Sequence, residues 1–168
     1  MINDIFTAAR TGDVNQVKAH LDTDSSLANA ENSDGLTLLG FAAHFGQGEV
    51  VKLLLENGAD VNAVSHSRVS YIPSNTALHA AIAGERSLEV IQLLLAHGAK
   101  PTIMDSNGHT SLHVAAFHKD STSIIGLLLE HGADVNAKSE DGVYAIDLAK
   151  EQGHTAVIAM LREHGAIG

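Results

Sequence analysis

Apolar residues recur along the chain in two alternating patterns. Leu-rich stretches that start with Val or Ile are each followed a few residues later by Gly-Ala. They cover residues 50–55, 90–95, 124–129 and 157–161. A second apolar segment precedes each of them, beginning at Thr37, Thr76, Thr110 or Tyr144 and carrying a small residue five positions later, at Ala42, Ala81, Ala115 or Ala149. Each unit therefore predicts a helix, a tight turn, a second helix and a loop.

Local signals predict where these helices begin and end. The Thr residues are N-cap types, whose hydroxyl accepts a hydrogen bond from a free N–H of the first turn. The Gly of each Gly-Ala pair stands where a left-handed residue ends a helix. Turn dipeptides predict the loop tips at Asp34-Gly35, Asn107-Gly108 and Asp141-Gly142.

The repeated unit resembles the ankyrin repeat over essentially the whole chain. Residues 60–63 and 134–137 both read Asp-Val-Asn-Ala, which is the family's typical ending, and the Thr-x-Leu-His helix start occurs at Thr76 and Thr110. The resemblance implies an all-α solenoid of about five helix-turn-helix repeats in a single domain, 1–168, and we expect the array to be complete. The repeats are predicted at 1–31, 32–63, 64–104, 105–137 and 138–168.

Unequal spacings predict insertions. Repeats three and four each contain one extra residue, which we expect in the turns at 83–87 and 117–121. The connection between repeats two and three is six residues longer than the later ones. Alternation over Val69-Ser70-Tyr71-Ile72 favours an extended β-finger there. The alternative is a surface insertion without a function.

Some positions depart from the family pattern. Gly40 and Asp147 occupy positions where the family has His, and Tyr144 replaces the capping Thr. The family's His hydrogen-bonds to neighbouring turns, so we expect repeats two and five to be less firmly held.

Composition narrows the possible functions. The chain is 45% hydrophobic, which allows a substantial core, and its formal net charge is −10. An acidic chain offers no basic stripe for nucleic acid or for anionic membranes, whereas a partner with a basic patch remains plausible. The sequence lacks Cys, which excludes disulfides and a thiol nucleophile. No secretory signal or membrane-spanning run is recognisable, so we expect a soluble, cytoplasmic protein.

The 11 His residues raise the possibility of a metal site. His79 and His113 occupy the family's structural position, while His97, His131 and His164 precede the Gly that ends a helix, where an imidazole can cap the helix by bonding to its last carbonyls. The remaining His residues have no metal-ligand spacing, and no nucleophile motif is present. We therefore expect no catalytic residue, no metal and no cofactor. A metal-dependent hydrolase and a self-associating structural scaffold are the alternatives.

The resemblance implies that loop tips and first helices line a concave face that binds a partner protein. Aromatic and apolar anchors ringed by polar groups are typical of binding hot spots. Phe45 and Phe117 could instead be core residues. We expect a monomer that binds another protein through this face and the 65–75 loop, using Leu36, His44, Phe45, Tyr71, Ile72, His109, Phe117, His118 and Val143. Asn62 and Asn136 also lie in contexts similar to sites of asparaginyl hydroxylation in animal members of the family.

Overall fold

The chain folds into ten α-helices and one short 3-10 helix in a computed structural model, which describes all residues 1–168. No strand forms, and the only β-type pairings are two isolated bridges. The predicted all-α repeat class is confirmed. The α-helices are α1 (Ile2–Thr11), α2 (Val14–Thr23), α3 (Leu38–His44), α4 (Gly48–Glu56), α5 (Ala77–Gly84), α6 (Leu88–Ala96), α7 (Ser111–His118), α8 (Thr122–Glu130), α9 (Ala145–Gln152) and α10 (Thr155–Glu163), and the 3-10 helix is Ser25–Asn29.

The helices form five successive pairs, divided between two compact units. Unit 1 comprises Met1–Ala99, and unit 2 comprises Lys100–Gly168. In unit 1, α3 packs between α1 and α5, while α4 packs between α2 and α6. In unit 2, α7 packs against α9 and α8 against α10. The exact repeat boundaries stay predictions.

Small residues let the first helices of the pairs approach each other closely. Ala42 and Ala81 are buried in unit 1, and Ala115 and Ala149 are buried in unit 2. Larger apolar side chains fill the space between the two helix layers of each unit, in line with the burial that drives folding. The largest fully buried ones are Ile5, Leu38, Leu54, Leu78, Ile82, Ile91 and Leu94 in unit 1 and Leu112, Ile125, Leu128, Ile146 and Leu161 in unit 2.

The predicted helix caps are present. The Thr37 hydroxyl accepts a hydrogen bond from the Gly40 N–H at 3.0 Å. Thr110 forms a reciprocal capping box, because its own N–H donates to Nδ1 of His113 at 3.3 Å. Asp147 performs the same task in the last pair, where a carboxylate oxygen accepts from the Tyr144 N–H at 3.1 Å. Asp147 thus replaces the family's His at the helix start, whereas Gly40 cannot.

Each second helix from α4 onward ends at a glycine in the left-handed conformation. These glycines are Gly58, Gly98, Gly132 and Gly165. The preceding His97, His131 and His164 each place Nδ1 2.8 Å from the carbonyl oxygen four residues earlier. Each of these carbonyls also accepts from the backbone N–H of the same His, at 3.1 to 3.2 Å, so the imidazole is a second partner for a carbonyl at the helix end. The sequence interpretation of these three His residues as capping groups is confirmed.

The extra residues of repeats three and four fall where they were expected. α6 begins 12 residues after Thr76 and α8 begins 12 residues after Thr110, whereas α4 begins 11 residues after Thr37. Glu85, which ends α5, is the only non-glycine residue with a positive φ, at 53°. Just before it, Gly84 lies so close to the His44 carbonyl that a side chain would have no room.

Asparagine side chains connect consecutive repeats within each unit. In unit 1, Nδ2 of Asn29 donates to the Gly58 carbonyl at 2.9 Å, and Asn62 donates likewise to Gly98 at 3.0 Å. Asn136 repeats the arrangement in unit 2. The hydroxylation inferred for Asn62 and Asn136 stays a prediction. None of the ten helices is long and apolar enough to cross a membrane.

Candidate partner-binding surfaces

Four loop tips are closed by the same pair of hydrogen bonds. In each tip the first residue donates its N–H to the carbonyl of the last residue. A side-chain oxygen of the first residue then accepts from the N–H of that same last residue. The pairs are Asn32 with Leu36 (3.1 and 3.0 Å), Ser65 with Asn75 (2.9 and 3.0 Å), Asp105 with His109 (2.8 and 3.0 Å) and Ser139 with Val143 (2.9 and 3.1 Å). This closure is local, so the tips keep the same base whatever lies between the two residues.

The second of these tips, which belongs to repeat three, differs because the six extra residues lie inside it. Its closing residues, Ser65 and Asn75, are ten positions apart, whereas Asp105 and His109 are four apart. We call residues 65–75 the extended tip. The expected β-finger is wrong, since residues 64–75 contain no strand. The N–H of Ile72 instead donates to the Val69 carbonyl at 3.0 Å, which bends the chain into a turn where the alternation predicted an extended segment.

The extended tip lies against the tip before it. The N–H groups of His66 and Arg68 donate to the carbonyls of Gly35 and Asp34, both at 2.9 Å. Nδ1 of His66 lies 2.7 Å from a carboxylate oxygen of Glu31. These contacts fix the first residues of the extended tip, and they use the carbonyls of Asp34 and Gly35 in the preceding tip as acceptors.

Tyr71 is the most exposed large side chain on the extended tip. It is 84% exposed, while the neighbouring Ile72 is half-buried. Arg68 is also exposed. A ring of this size left in solvent on a tip with a closed base is a candidate anchor for a partner.

The end of α3 presents a row of aromatic rings in unit 1. Phe45 packs edge to face on Phe41, whose ring in turn meets Phe6, with centroid distances of 5.0 and 5.3 Å. The guanidinium of Arg86 lies 5.4 Å from the centre of the Phe45 ring. Phe45 is therefore half-buried, and the exposed group at this helix end is His44.

The end of α7 presents a different surface in unit 2. Phe117 is 45% exposed, and its ring meets that of His118 edge to face at 5.3 Å. Phe117 stands seven residues after its capping Thr110, whereas Phe45 stands eight after Thr37. One helical residue corresponds to a rotation of about 100°, so the two rings leave their helices in different directions.

His109 and His113 stack with their ring centroids 5.6 Å apart. Nε2 of His113 donates to the Val143 carbonyl at 3.0 Å, and its Nδ1 is the acceptor of the Thr110 cap. Burial lowers the pKa of His113, and the nearby His109 lowers it further, against the raising effects of the Val143 carbonyl and Asp105. His113 is therefore a neutral structural group that connects His109 with Val143.

Residues that could bind a metal do not gather at one place. No three side chains of the His, Cys, Asp or Glu type are arranged to hold an ion. The surfaces described above instead offer aromatic rings, imidazoles and backbone groups at the surface. Such groups suit recognition of another molecule better than they suit covalent chemistry.

Sequence comparison agrees with this geometry. The family model for ankyrin repeats in three copies matches residues 5–65 and 66–139. The chain belongs to the ankyrin-repeat family. Ankyrin repeats are protein–protein interaction modules, and the family is typically non-catalytic.

Several curated relatives contain ankyrin repeats within longer chains. A putative ankyrin repeat protein of fowlpox virus, FPV031, is 36% identical over 135 residues, which cover 78% of this chain and 38% of the relative. The ankyrin repeat and SAM domain-containing protein 6 of Rattus norvegicus is 36% identical over 107 residues, or 63% of this chain and 11% of the relative. The human DNA-binding protein RFXANK is 38% identical over 66 residues, or 39% of this chain and 25% of the relative. The chain thus spans less than half the length of these relatives.

The predicted partner-binding residues of this ankyrin array fall into separate groups. In unit 1, His44 and Tyr71 are exposed, whereas Leu36, Phe45 and Ile72 are half-buried. In unit 2, Phe117 and His118 are exposed, whereas His109 and Val143 are half-buried. His113 contacts both of the half-buried residues, since its ring stacks on His109 and bonds to the Val143 carbonyl.

Sequence reasoning missed two contributors to the unit 1 surface. Phe41 packs against Phe45 from one helical turn earlier. The i, i+4 spacing of these two aromatic residues could have predicted that contact from the sequence. Arg86 covers the Phe45 ring from the turn after α5. No sequence pattern indicates that contact, because the two residues come from different repeats.

Proposed function

We propose that this chain binds a partner protein through the exposed helix ends and loop tips of its ankyrin repeats. The observation that carries the proposal is Phe117, a large apolar ring that is 45% exposed at the end of α7 beside the imidazole of His118. Burying an aromatic ring of this size in a complex contributes more than most contacts at an interface. The end of α3 in unit 1, where His44 is exposed beside the half-buried Phe45, offers a second contact.

The acidic residues exposed on the shorter tips at 32–36 and 139–143 favour a partner with basic groups there. Asp34, Glu140 and Asp141 are exposed, and none of them takes part in an ion pair. The formal net charge of −10 also disfavours nucleic acid and anionic membranes as ligands and favours a monomer through self-repulsion. We propose a non-catalytic role in the cytoplasm, carried out without metal or cofactor.

The test is affinity capture from the organism that encodes the chain, with three baits. The wild-type chain should retain a specific protein, and Phe117→Ala should weaken that retention about tenfold or more, which is about 1.4 kcal/mol. Met104→Ala is the matched control, because Met104 is 44% exposed but lies outside the predicted surface. Equal retention by all three baits would contradict the proposal.

Two measurements address the other candidate roles. Light scattering at two protein concentrations should give the same monomeric mass, whereas a mass that rises with concentration would favour a self-associating scaffold. Metal analysis of untagged protein should find no stoichiometric ion. A stoichiometric ion would favour the hydrolytic alternative.

A further inference from the structure

The extended tip differs from the rest of the chain in charge. Between Asp60 and Glu85 the sequence has no acidic residue, and Arg68 is the only Lys or Arg in that interval. The chain as a whole carries a formal net charge of −10. The residues of the extended tip thus carry one formal positive charge and no negative one, while the acidic Glu31 and Asp34 at the preceding tip lie beside its first residues.

The extended tip is also held in place at its base. Ser65 and Asn75 close it, and the N–H of Ser67 donates to the Ser74 hydroxyl at 3.0 Å across it. The hydrogen bonds of His66 and Arg68 to the preceding tip hold its first residues. A loop fixed in this way loses less conformational entropy on binding than a free loop does.

The two largest side chains on this tip are available to a ligand. Tyr71 is 84% exposed, and its hydroxyl makes no hydrogen bond within the chain. The guanidinium of Arg68 is exposed and forms no ion pair. Tyr and Arg are two of the three residue types enriched in binding hot spots.

We infer that the extended tip is a docking hook for a partner protein whose surface has an aromatic-sized pocket rimmed by carboxylates. Tyr71 fills the pocket, and Arg68 pairs with the carboxylates at its rim. This inference rests on the proposed function, and it assigns the hook a partner surface of opposite charge to the one that suits Asp34, Glu140 and Asp141. A single cation does not supply the repeated phosphate contacts that nucleic acid or an anionic membrane requires.

Site-specific photocrosslinking tests the inference. The photoreactive residue p-benzoyl-L-phenylalanine replaces Tyr71 in one variant, Phe117 in a second and Met104 in a control, and each is irradiated in the organism that encodes the chain. We expect the probe at position 71 to give one discrete adduct with a different protein. Mass spectrometry should place the attachment beside Asp or Glu residues of that protein.

Charge reversal makes the test specific for the rim. Adding Arg68→Glu to the position-71 variant should lower the adduct yield about tenfold, because a carboxylate would then face carboxylates. Arg68→Lys should retain most of the yield, since it keeps the charge. An equal yield with Arg68→Glu would overturn the inference.

The remaining outcomes separate this inference from the proposed function. An adduct from position 117 without one from position 71 would overturn the docking hook and leave the proposed function standing. No adduct from either position would overturn both. An adduct from position 71 with a second copy of the chain, with nucleic acid or with lipid would also overturn the docking hook.

Discussion

Asn136 donates from Nδ2 to the carbonyl oxygen of Gly165 at 3.0 Å, across the boundary between two successive repeats. The same side chain accepts at Oδ1 from the N–H of Ile167, also at 3.0 Å. In unit 1, Asn29 makes the equivalent pair of bonds with Gly58 and with the N–H of Asp60. One side-chain amide thus bonds to the glycine that follows the next repeat's second helix, and it also holds the backbone two residues further on.

Replacing Asn136 with Ala should therefore lower the stability of unit 2. Two hydrogen bonds are lost at a partly exposed site, so we expect the free energy of unfolding to fall by about 1–2 kcal/mol. Urea denaturation followed by circular dichroism measures the change. Asn107→Ala is the control, because the Asn107 side chain is exposed on a tip and makes no such bonds. Equal losses in the two variants would contradict this role for Asn136.

Two glycines at the same tip position should respond differently to Ala. Gly108 and Gly142 have nearly equal φ values of 74° and 78°. A Cβ on Gly108 would meet the Glu140 side chain and lie 2.8 Å from its backbone nitrogen, whereas a Cβ on Gly142 would meet nothing within 4 Å.

Gly142→Ala should cost only the left-handed strain, about 1–2 kcal/mol. Gly108→Ala should cost clearly more, because the neighbouring tip must also move. Denaturation midpoints of the two variants provide the comparison. A midpoint for Gly108→Ala at or above that of Gly142→Ala would show that the close approach to Glu140 has no energetic weight.

The two helix-end phenylalanines should separate stability from binding. Phe45→Ala removes a half-buried ring that packs on Phe41 and supports Arg86, so we expect a loss of about 1–3 kcal/mol in stability. Phe117→Ala removes a ring that is 45% exposed, so we expect a change within about 1 kcal/mol. Thermal unfolding of both variants measures this. A larger loss for Phe117→Ala would identify Phe117 as a core residue and remove it from the proposed surface.

Unit 2 should lose stability on mild acidification because of His113. Its pKa is lowered in the folded chain, mainly by burial, so the folded state favours neutral His113. The unfolded chain takes up a proton near the ordinary pKa of about 6.5. The contribution is therefore fully present above about pH 6.5 and is lost as the pH falls from there through the lowered pKa.

Urea midpoints at pH 8 and pH 5 provide the measurement. The wild type should lose more stability between the two than His113→Gln, which has no titrating ring at this position. The difference between the two proteins isolates His113 from the other His residues and the carboxylates. Parallel pH dependence in the two proteins would rule out a contribution from His113.

Much of the fold could be predicted from the sequence because its signals are local. The capping hydroxyl of Thr37, the left-handed Gly58 and the His97 that closes the end of α6 each act within a few residues of their own position. Local signals repeated at a fixed spacing also predict helix pairs that must stack, since one pair cannot bury its apolar side alone. Helix order, caps and the length of the insertion could therefore be predicted from the sequence.

Contacts between residues far apart in the chain were decided only by the tertiary structure. The alternation around Tyr71 predicted a β-finger, but a strand forms only with a partner strand, and the chain offers Gly35 and Asp34 carbonyls for just two N–H groups. Phe45 is half-buried because Arg86 and Phe41 meet it from two sides. Whether a ring is exposed depends on what packs against it, and neighbours brought from other repeats leave no pattern in the local sequence.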